Sequence, residues 1–157
     1  MTPVVLLEGL KEFIEECTKD ILLQVRTKPT EESSVSRRAA EVHLMRLPDK
    51  SSETSLIPYV LLQFIDGRDE DDAESTCRVR VIVATYSDDN GIGSMDVLNV
   101  LTKIRIDLLK KGVISNQISI KKPLEYIVYP EDTAPYFMGE MMTVWEIPEI
   151  MREVQFG

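Results

Sequence analysis

Hydrophobic positions recur with a helical period in two stretches of the chain. The first stripe consists of Val4, Leu7, Leu10, Ile14, Cys17 and Ile21, and the second of Val97, Val100, Leu101, Ile104 and Leu108. The first stripe predicts a helix over residues 3–25, capped by the Thr2 hydroxyl and with Pro3 in its first turn. The second predicts a helix that is capped by Gly93 or Ser94. It ends at Gly112, because glycine readily adopts the left-handed conformation that closes a helix.

Segments with β-type patterns separate and follow these helices. Residues 76–86 show the clearest alternation of side chains between two sides of a strand. One side is apolar, and the other side begins with charged residues. The apolar side carries Val79, Val81 and Val83, and the other side carries Arg78 and Arg80. Further strands are expected at residues 40–47, 59–65, 118–120, 126–129 and 139–147. Polar stretches at 28–38 and 48–55 are expected to be mobile connectors.

The order of these elements predicts the fold class. Hairpin-length links between strands favour antiparallel pairing. Two amphipathic helices need one apolar sheet face to bury their stripes. We therefore expect residues 1–157 to form a single α+β domain. It would be a two-layer sandwich in which both helices pack on one face of a mainly antiparallel sheet of four to six strands.

Composition narrows the class of protein. The 157 residues are 43% hydrophobic, which is ordinary for one globular domain. The net charge of −9 repels a phosphate backbone and disfavours general DNA or RNA binding. Two cysteines are too few for a disulfide framework, so both thiols are expected to be small buried hydrophobes in a reducing compartment. No secretory signal or membrane span is expected.

Motifs that carry chemistry are incomplete in this sequence. The turn at 88–93 precedes a helix as phosphate loops do, but Asp96 stands where the dinucleotide pattern needs its third glycine. Read as a calcium loop, the same turn would place Ile92 at a ligand position. The single histidine, His43, could act as a general base only with a partner nucleophile, and the sequence indicates none. We therefore expect no catalytic residue, cofactor or metal site.

Charged and aromatic residues are better candidates for contacts with other proteins. The acidic run at 66–74 is expected to be a solvated hairpin tip that also suits a basic partner. Arg78 and Arg80 would pair with Glu41 or Glu125 across the sheet, or meet a neighbouring subunit. The aromatic and methionine-rich region near the C-terminus suits either a core or an interface. The interface hypothesis comprises Asp66, Asp69, Glu70, Asp71, Asp72, Arg78, Arg80, Tyr136, Phe137, Met138 and Trp145.

Several of these segments, taken in order, are similar to a known family. They are Ile57-Pro58-Tyr59-Val60-Leu61, the strand at 79–86, the turn Asp88-Asp89-Asn90-Gly91, the helix at 95–111, and the stretches at 135–139 and 145–148. Their order and spacing resemble those of the tail terminator proteins of long-tailed bacteriophages and prophages. The resemblance extends over residues 3–152 by element order.

The resemblance implies a structural role without catalysis. Such a subunit would form a ring with copies of itself, usually a hexamer, on the end of the tail tube. The ring would stop polymerisation of the major tail tube protein and present a surface to neck and head-completion proteins. DNA would only pass through the lumen of the ring, and negative charge on the lumen wall would keep the DNA from binding there. No membrane would be involved. The protein would be made in the bacterial host cytoplasm and lie at the neck-proximal end of the virion tail.

Two alternatives stay open at this point. One is another neck protein, for head-tail joining or tail completion. The other is a small cytosolic enzyme or ligand-binding α+β domain that uses the acidic loops. It would show a deep pocket with converging polar groups and shifted pKa values.

Overall fold

The computed structural model describes residues 2–26, 36–49, 56–89, 91–130 and 133–153. The two helices are α1 (Pro3–Thr18) and α2 (Gly93–Lys111). The strands are β1 (Leu23–Gln24), β2 (Arg37–Arg38), β3 (Glu41–Leu44), β4 (Tyr59–Arg68), β5 (Ser75–Tyr86), β6 (Val113–Ile114), β7 (Ile118–Val128) and β8 (Tyr136–Ile147). Neither helix is long and apolar enough to cross a membrane, within the residues that the structure describes.

Six strands form one mixed sheet in the order β3-β4-β5-β8-β7-β6. All neighbours pair antiparallel except β3 and β4, which run parallel. The short strands β1 and β2 form a separate antiparallel pair. The prediction of an α+β fold with a mainly antiparallel sheet is confirmed.

The main core lies between one sheet face and the two helices. Val79, Val81 and Val83 of β5 are fully buried there, as their alternation predicts. Burying each of these side chains is worth about 1.5–3 kcal/mol. Both helices contact this layer, with α1 against β3, β4 and β6 and α2 against β5, β7 and β8. The predicted placement of both helices on one face is therefore confirmed.

A second, smaller apolar cluster lies on the opposite sheet face. Its buried members are Ile57, Tyr59, Leu61 and Ala84. Leu47 and Leu56, which lie outside the sheet, pack against them. This half of the face is therefore covered by the protein's own chain, whereas the other half carries charged side chains.

The first helix is shorter than predicted. It ends at Thr18, whose hydroxyl donates to the Ile14 carbonyl at 2.7 Å, and Leu23 and Gln24 are buried in a strand. A hydroxyl bonded back to the preceding turn weakens a helix locally, and strand pairing with Arg37 and Arg38 satisfies the backbone beyond it. The expected Thr2 side-chain cap is not formed, although Pro3 does stand at the helix start.

Strand boundaries also differ from the prediction. The two short strands expected at 118–120 and 126–129 are one strand, β7, whose register shifts between Lys121 and Glu125. That irregularity falls at Pro123, which has no N–H to donate to a ladder. In contrast, β3 stops at Leu44, because Met45 adopts a positive φ of 68°.

The predicted connectors fall mostly outside the described residues. Residues 27–35 and 50–55 are not described. The end of the first connector is a correction, because Arg37 and Arg38 form β2. The predicted C-terminal stop of α2 is confirmed, since Gly112 has φ 74° and its N–H donates to the Leu108 carbonyl at 2.8 Å.

Candidate interaction surfaces

The acidic run between β4 and β5 is an exposed hairpin tip, as predicted. Asp69, Glu70, Asp71 and Asp72 are all exposed. The Ser75 hydroxyl donates to Asp69 Oδ1 at 2.6 Å, and Arg68 pairs with Glu70. Within the described residues, no three His, Cys, Asp or Glu side chains converge on a point where they would hold a metal ion. The tip is thus a strongly negative, solvated projection.

Ion pairs cover the half of the sheet face that the smaller apolar cluster leaves uncovered. Arg78 Nε donates to Asp66 Oδ1 at 2.8 Å, and its second nitrogen bonds Oδ2. These bonds hold the pKa of the Asp66 carboxyl below its usual range. Arg80 Nε lies 3.0 Å from Glu140 Oε2 without the alignment of a hydrogen bond.

The arginines are paired within the sheet, as one interpretation held, but with other partners than Glu41 and Glu125. Asp66 stands directly opposite Arg78 because the β4 ladder shifts register after Phe64. Exposed pairs of this kind contribute little to stability, because water and salt screen the charges. They therefore set the charge pattern of the face rather than its stability.

The C-terminal aromatic region divides between the two sheet faces. Trp145 is fully buried in the core, and Phe137 packs against the core where α2 begins, at Gly93. Tyr136 and Met138 point to the other face and rim the smaller cluster. Arg26 donates to the Tyr136 hydroxyl at 2.5 Å. Trp145, which belongs to the interface hypothesis, is therefore a core residue.

The second helix has an apolar side that the sequence interpretation missed. Met95, Leu98 and Ile106 are between 38% and 56% exposed and lie on one line with two half-buried residues. We call this line the outer α2 stripe; it comprises Met95, Leu98, Thr102, Ile106 and Leu109. Its spacings of three and four residues are helical, and it lies about 150° around the helix from the buried stripe. The signal in the sequence is this second set of apolar residues at helical spacing, on the side of the helix opposite the buried stripe.

The outer edge of β7 is linked to α2 through Arg105. Beyond Ile120, β7 pairs with β8 on one side and with no described strand on the other. Tyr126 and Ile127 on this stretch are 44% and 52% exposed. The Arg105 guanidinium of α2 lies 5.6 Å from the centre of the Tyr126 ring, which joins the helix to the strand. We call residues 121–128 with this open side the β7 edge.

A groove of about 770 Å³ lies between the C-terminal halves of the helices. Burial raises the pKa of its Cys17 thiol to about 11, and hydrogen bonding to Asp107 raises the pKa of Lys103. Both groups are therefore protonated at neutral pH and neither acts as a nucleophile there.

His43 lies outside this groove, on β3, and its Nε2 is 3.7 Å from Glu41 Oε2.

Comparison with known proteins adds no assignment. The sequence matches no protein-family model, and no curated protein matches it significantly.

Proposed function

We propose that this chain is a structural assembly subunit, a tail terminator of a long-tailed bacteriophage or prophage. It forms a ring with copies of itself on the finished tail tube. The ring stops addition of the major tail tube protein and offers its far side to neck and head-completion proteins. It does this by docking and makes or breaks no covalent bond.

The observation that carries the proposal is the outer α2 stripe together with the β7 edge. A monomeric protein normally scatters its exposed hydrophobic residues singly. Here Met95, Leu98 and Ile106 are aligned along one helix, and the same subunit has an open strand edge at β7. Such a surface is typical of a subunit that is completed by a protein partner.

The two layers give the subunit chemically different sides. The helix layer presents the apolar stripe, and the sheet presents ion pairs such as Asp66–Arg78 and Arg80–Glu140. A ring of such subunits has one side matched to a tube and one side that differs from it, so the tube cannot be extended past the ring.

The groove between the helices favours this role over a catalytic one. Its thiol and the Lys103 amine have pKa values shifted away from neutral pH rather than towards it. A general base or nucleophile needs the opposite shift. The groove therefore lacks the property that would indicate a reactive site.

Electron microscopy of the purified protein mixed with tail tubes tests the proposal. The tubes are assembled from the major tail tube protein of the same genome, and tubes alone are the control. We expect rings at tube ends and a constant tube length in the presence of the protein. Binding to neck proteins with bare tube ends would favour another neck role, and no affinity for either would contradict the proposal.

A further inference from the structure

We infer that copies of this chain are joined by addition of a strand. Residues 149–153 of one copy, which we call the post-β8 segment, pair antiparallel with the β7 edge of the next copy. This inference rests on the proposed function, because it names the contact that would join neighbouring subunits of the ring. Three observations lead to it: the open side of β7, the exposed apolar side chains of the post-β8 segment, and the match between the two strands when they are paired.

The β7 edge has backbone groups that point away from the sheet. The Tyr129 N–H donates to the Met138 carbonyl of β8 at 2.9 Å, so the backbone groups of Tyr129 face β8. Successive residues of a strand alternate in this direction, and the backbone groups of Val128 and Tyr126 therefore point outward. No described strand pairs with this side of the two residues. An extended segment of another chain can add to the sheet here through main-chain hydrogen bonds.

The post-β8 segment carries exposed apolar side chains and has few ties to its own subunit. Ile150 and Met151 are 85% and 82% exposed. Within the described residues, none of the residues 149–153 forms a hydrogen bond or an ion pair, and none belongs to a strand. Glu149 lies in one hollow with Asp69 and other acidic residues of the hairpin tip, where like charges repel. The segment is therefore available for a contact outside its own subunit.

One antiparallel register matches the side chains of the two strands. In this register Ile150 lies opposite Ile127, and Arg152 lies opposite Glu125. The first pair is apolar and the second brings opposite charges together, and both kinds of cross-strand pair are stabilising. Parallel pairing at the same place would set Arg152 against Ile127 and leave its charge without a partner. The side chains therefore select the antiparallel direction.

The remaining side chains of the segment face α2 in this register. Met151 lies opposite Tyr126, and Glu149 and Glu153 lie on either side of Met151 on the same face of the strand. The Arg105 guanidinium is 5.6 Å from the centre of the Tyr126 ring, and no carboxylate of the described residues forms an ion pair with it. The two glutamates therefore bring negative charge to a cation that the single subunit leaves without an anionic partner.

The post-β8 segment cannot pair in this way with its own subunit. Glu149 would have to lie beside Val128, which is opposite Gly139 of β8. Gly139 is seven residues, or about 24 Å, from Glu146 along β8. Glu149 is only three residues after Glu146, and three residues span at most about 11 Å. The segment must come from a second copy, and a contact between two different surfaces closes into a ring when its rotation permits.

The first test removes one backbone hydrogen bond of the contact. In the proposed register the Met151 N–H donates to the Tyr126 carbonyl, and Met151→Pro removes that donor. Met151 is exposed, so we expect the thermal unfolding midpoint to stay the same. Self-association, measured by sedimentation velocity, should weaken at least ~10-fold. The matched control Met151→Leu keeps the N–H and should associate as the unchanged chain does.

The second test exchanges the charges of one cross-strand pair. Glu125→Arg and Arg152→Glu each set like charges opposite one another, and each should weaken association about 10-fold. The chain with both changes should recover, and so should an equal mixture of the two single variants. The mixture recovers because the segment of each variant meets a matching edge on the other. A two-fold contact between two β7 edges predicts instead that Arg152→Glu has no effect, and that result would overturn the inference.

Two further outcomes separate this inference from the proposed function. The contact is overturned if Met151→Pro associates as the unchanged chain does, or if the unchanged chain stays monomeric at its highest soluble concentration with and without tail tubes. Rings that form through these strands but do not bind tube ends would support the contact and contradict the tail terminator role. Rings on tube ends that are unaffected by Met151→Pro would support that role and contradict the contact.

Discussion

At the scale of single residues, Trp145 depends on one hydroxyl group. Its indole is fully buried, and Nε1 donates to Thr143 Oγ1 at 2.7 Å. The same hydroxyl donates to the Val79 carbonyl at 2.8 Å, so Thr143 links the indole to the neighbouring strand. The sequence indicated that Trp145 belongs to a core or an interface. The role of Thr143 was not visible, because it requires β8 to lie beside β5.

The variant Thr143→Val tests this link. Valine has the shape of threonine but no hydroxyl, so the buried indole N–H loses its partner. We expect the free energy of unfolding in urea to fall by about 1–3 kcal/mol. The control Thr143→Ser keeps the hydroxyl and should lose less. Equal losses in the two variants would mean that methyl packing, rather than the hydrogen bond, determines stability here.

At the scale of elements, α2 lies very close to the sheet. A Cβ at Gly139 of β8 would come within 2.7 Å of Val97 Cγ1 and 2.9 Å of the Ile127 carbonyl oxygen. The absence of a side chain at this position therefore sets the distance between helix and strand. Helical periodicity predicted α2 and its buried stripe, but the close approach depends on which strand lies beneath the helix.

Replacing Gly139 with alanine should separate these elements. The added methyl group meets a backbone oxygen, which cannot turn aside as a flexible side chain does. We expect Gly139→Ala to lower the free energy of unfolding by about 1–3 kcal/mol. Gly67→Ala is the control, because its Cβ would meet Phe64 at an ordinary 3.5 Å. A Gly139 variant as stable as that control would show that α2 can shift without cost.

The end of α1 shows where the periodic pattern is misleading. Ile21 continues the helical stripe in the sequence, but the helix ends at Thr18. Leu23 and Gln24 then pair with Arg38 and Arg37, which lie 13 or more residues further along the chain. Local periodicity cannot detect a competing partner that distant, so tertiary pairing overrides it.

At the scale of the whole molecule, stability should decrease from the middle of the sheet to its edges. The long strands β5 and β8 have a paired neighbour on both sides, whereas the β7 edge has a described partner only through β8. Amides at an open edge exchange by small local openings, whereas those in central strands require larger ones. The sheet order therefore ranks its strands by protection.

Hydrogen exchange on the dilute protein measures this ranking. We expect the slowest amides in β5 and β8 and rapid exchange at the outward-pointing amides of residues 124–128. Concentrating the protein provides the comparison, because self-association that covers the β7 edge should slow exchange at those amides. Uniform protection of β7 in the dilute monomer would show that its edge is covered within one subunit.

The sequence by itself determined the helical stripes, the alternation of β5, the charge distribution and hence the two-layer α+β class. These properties depend on side chains a few positions apart, whose spacing on a helix or strand is fixed by backbone geometry. Only the tertiary structure decided the strand order, the partners of Arg78 and Arg80, and the open β7 edge. Those features depend on residues far apart in the chain, because burial of the shared core selects one pairing among many that local pattern allows.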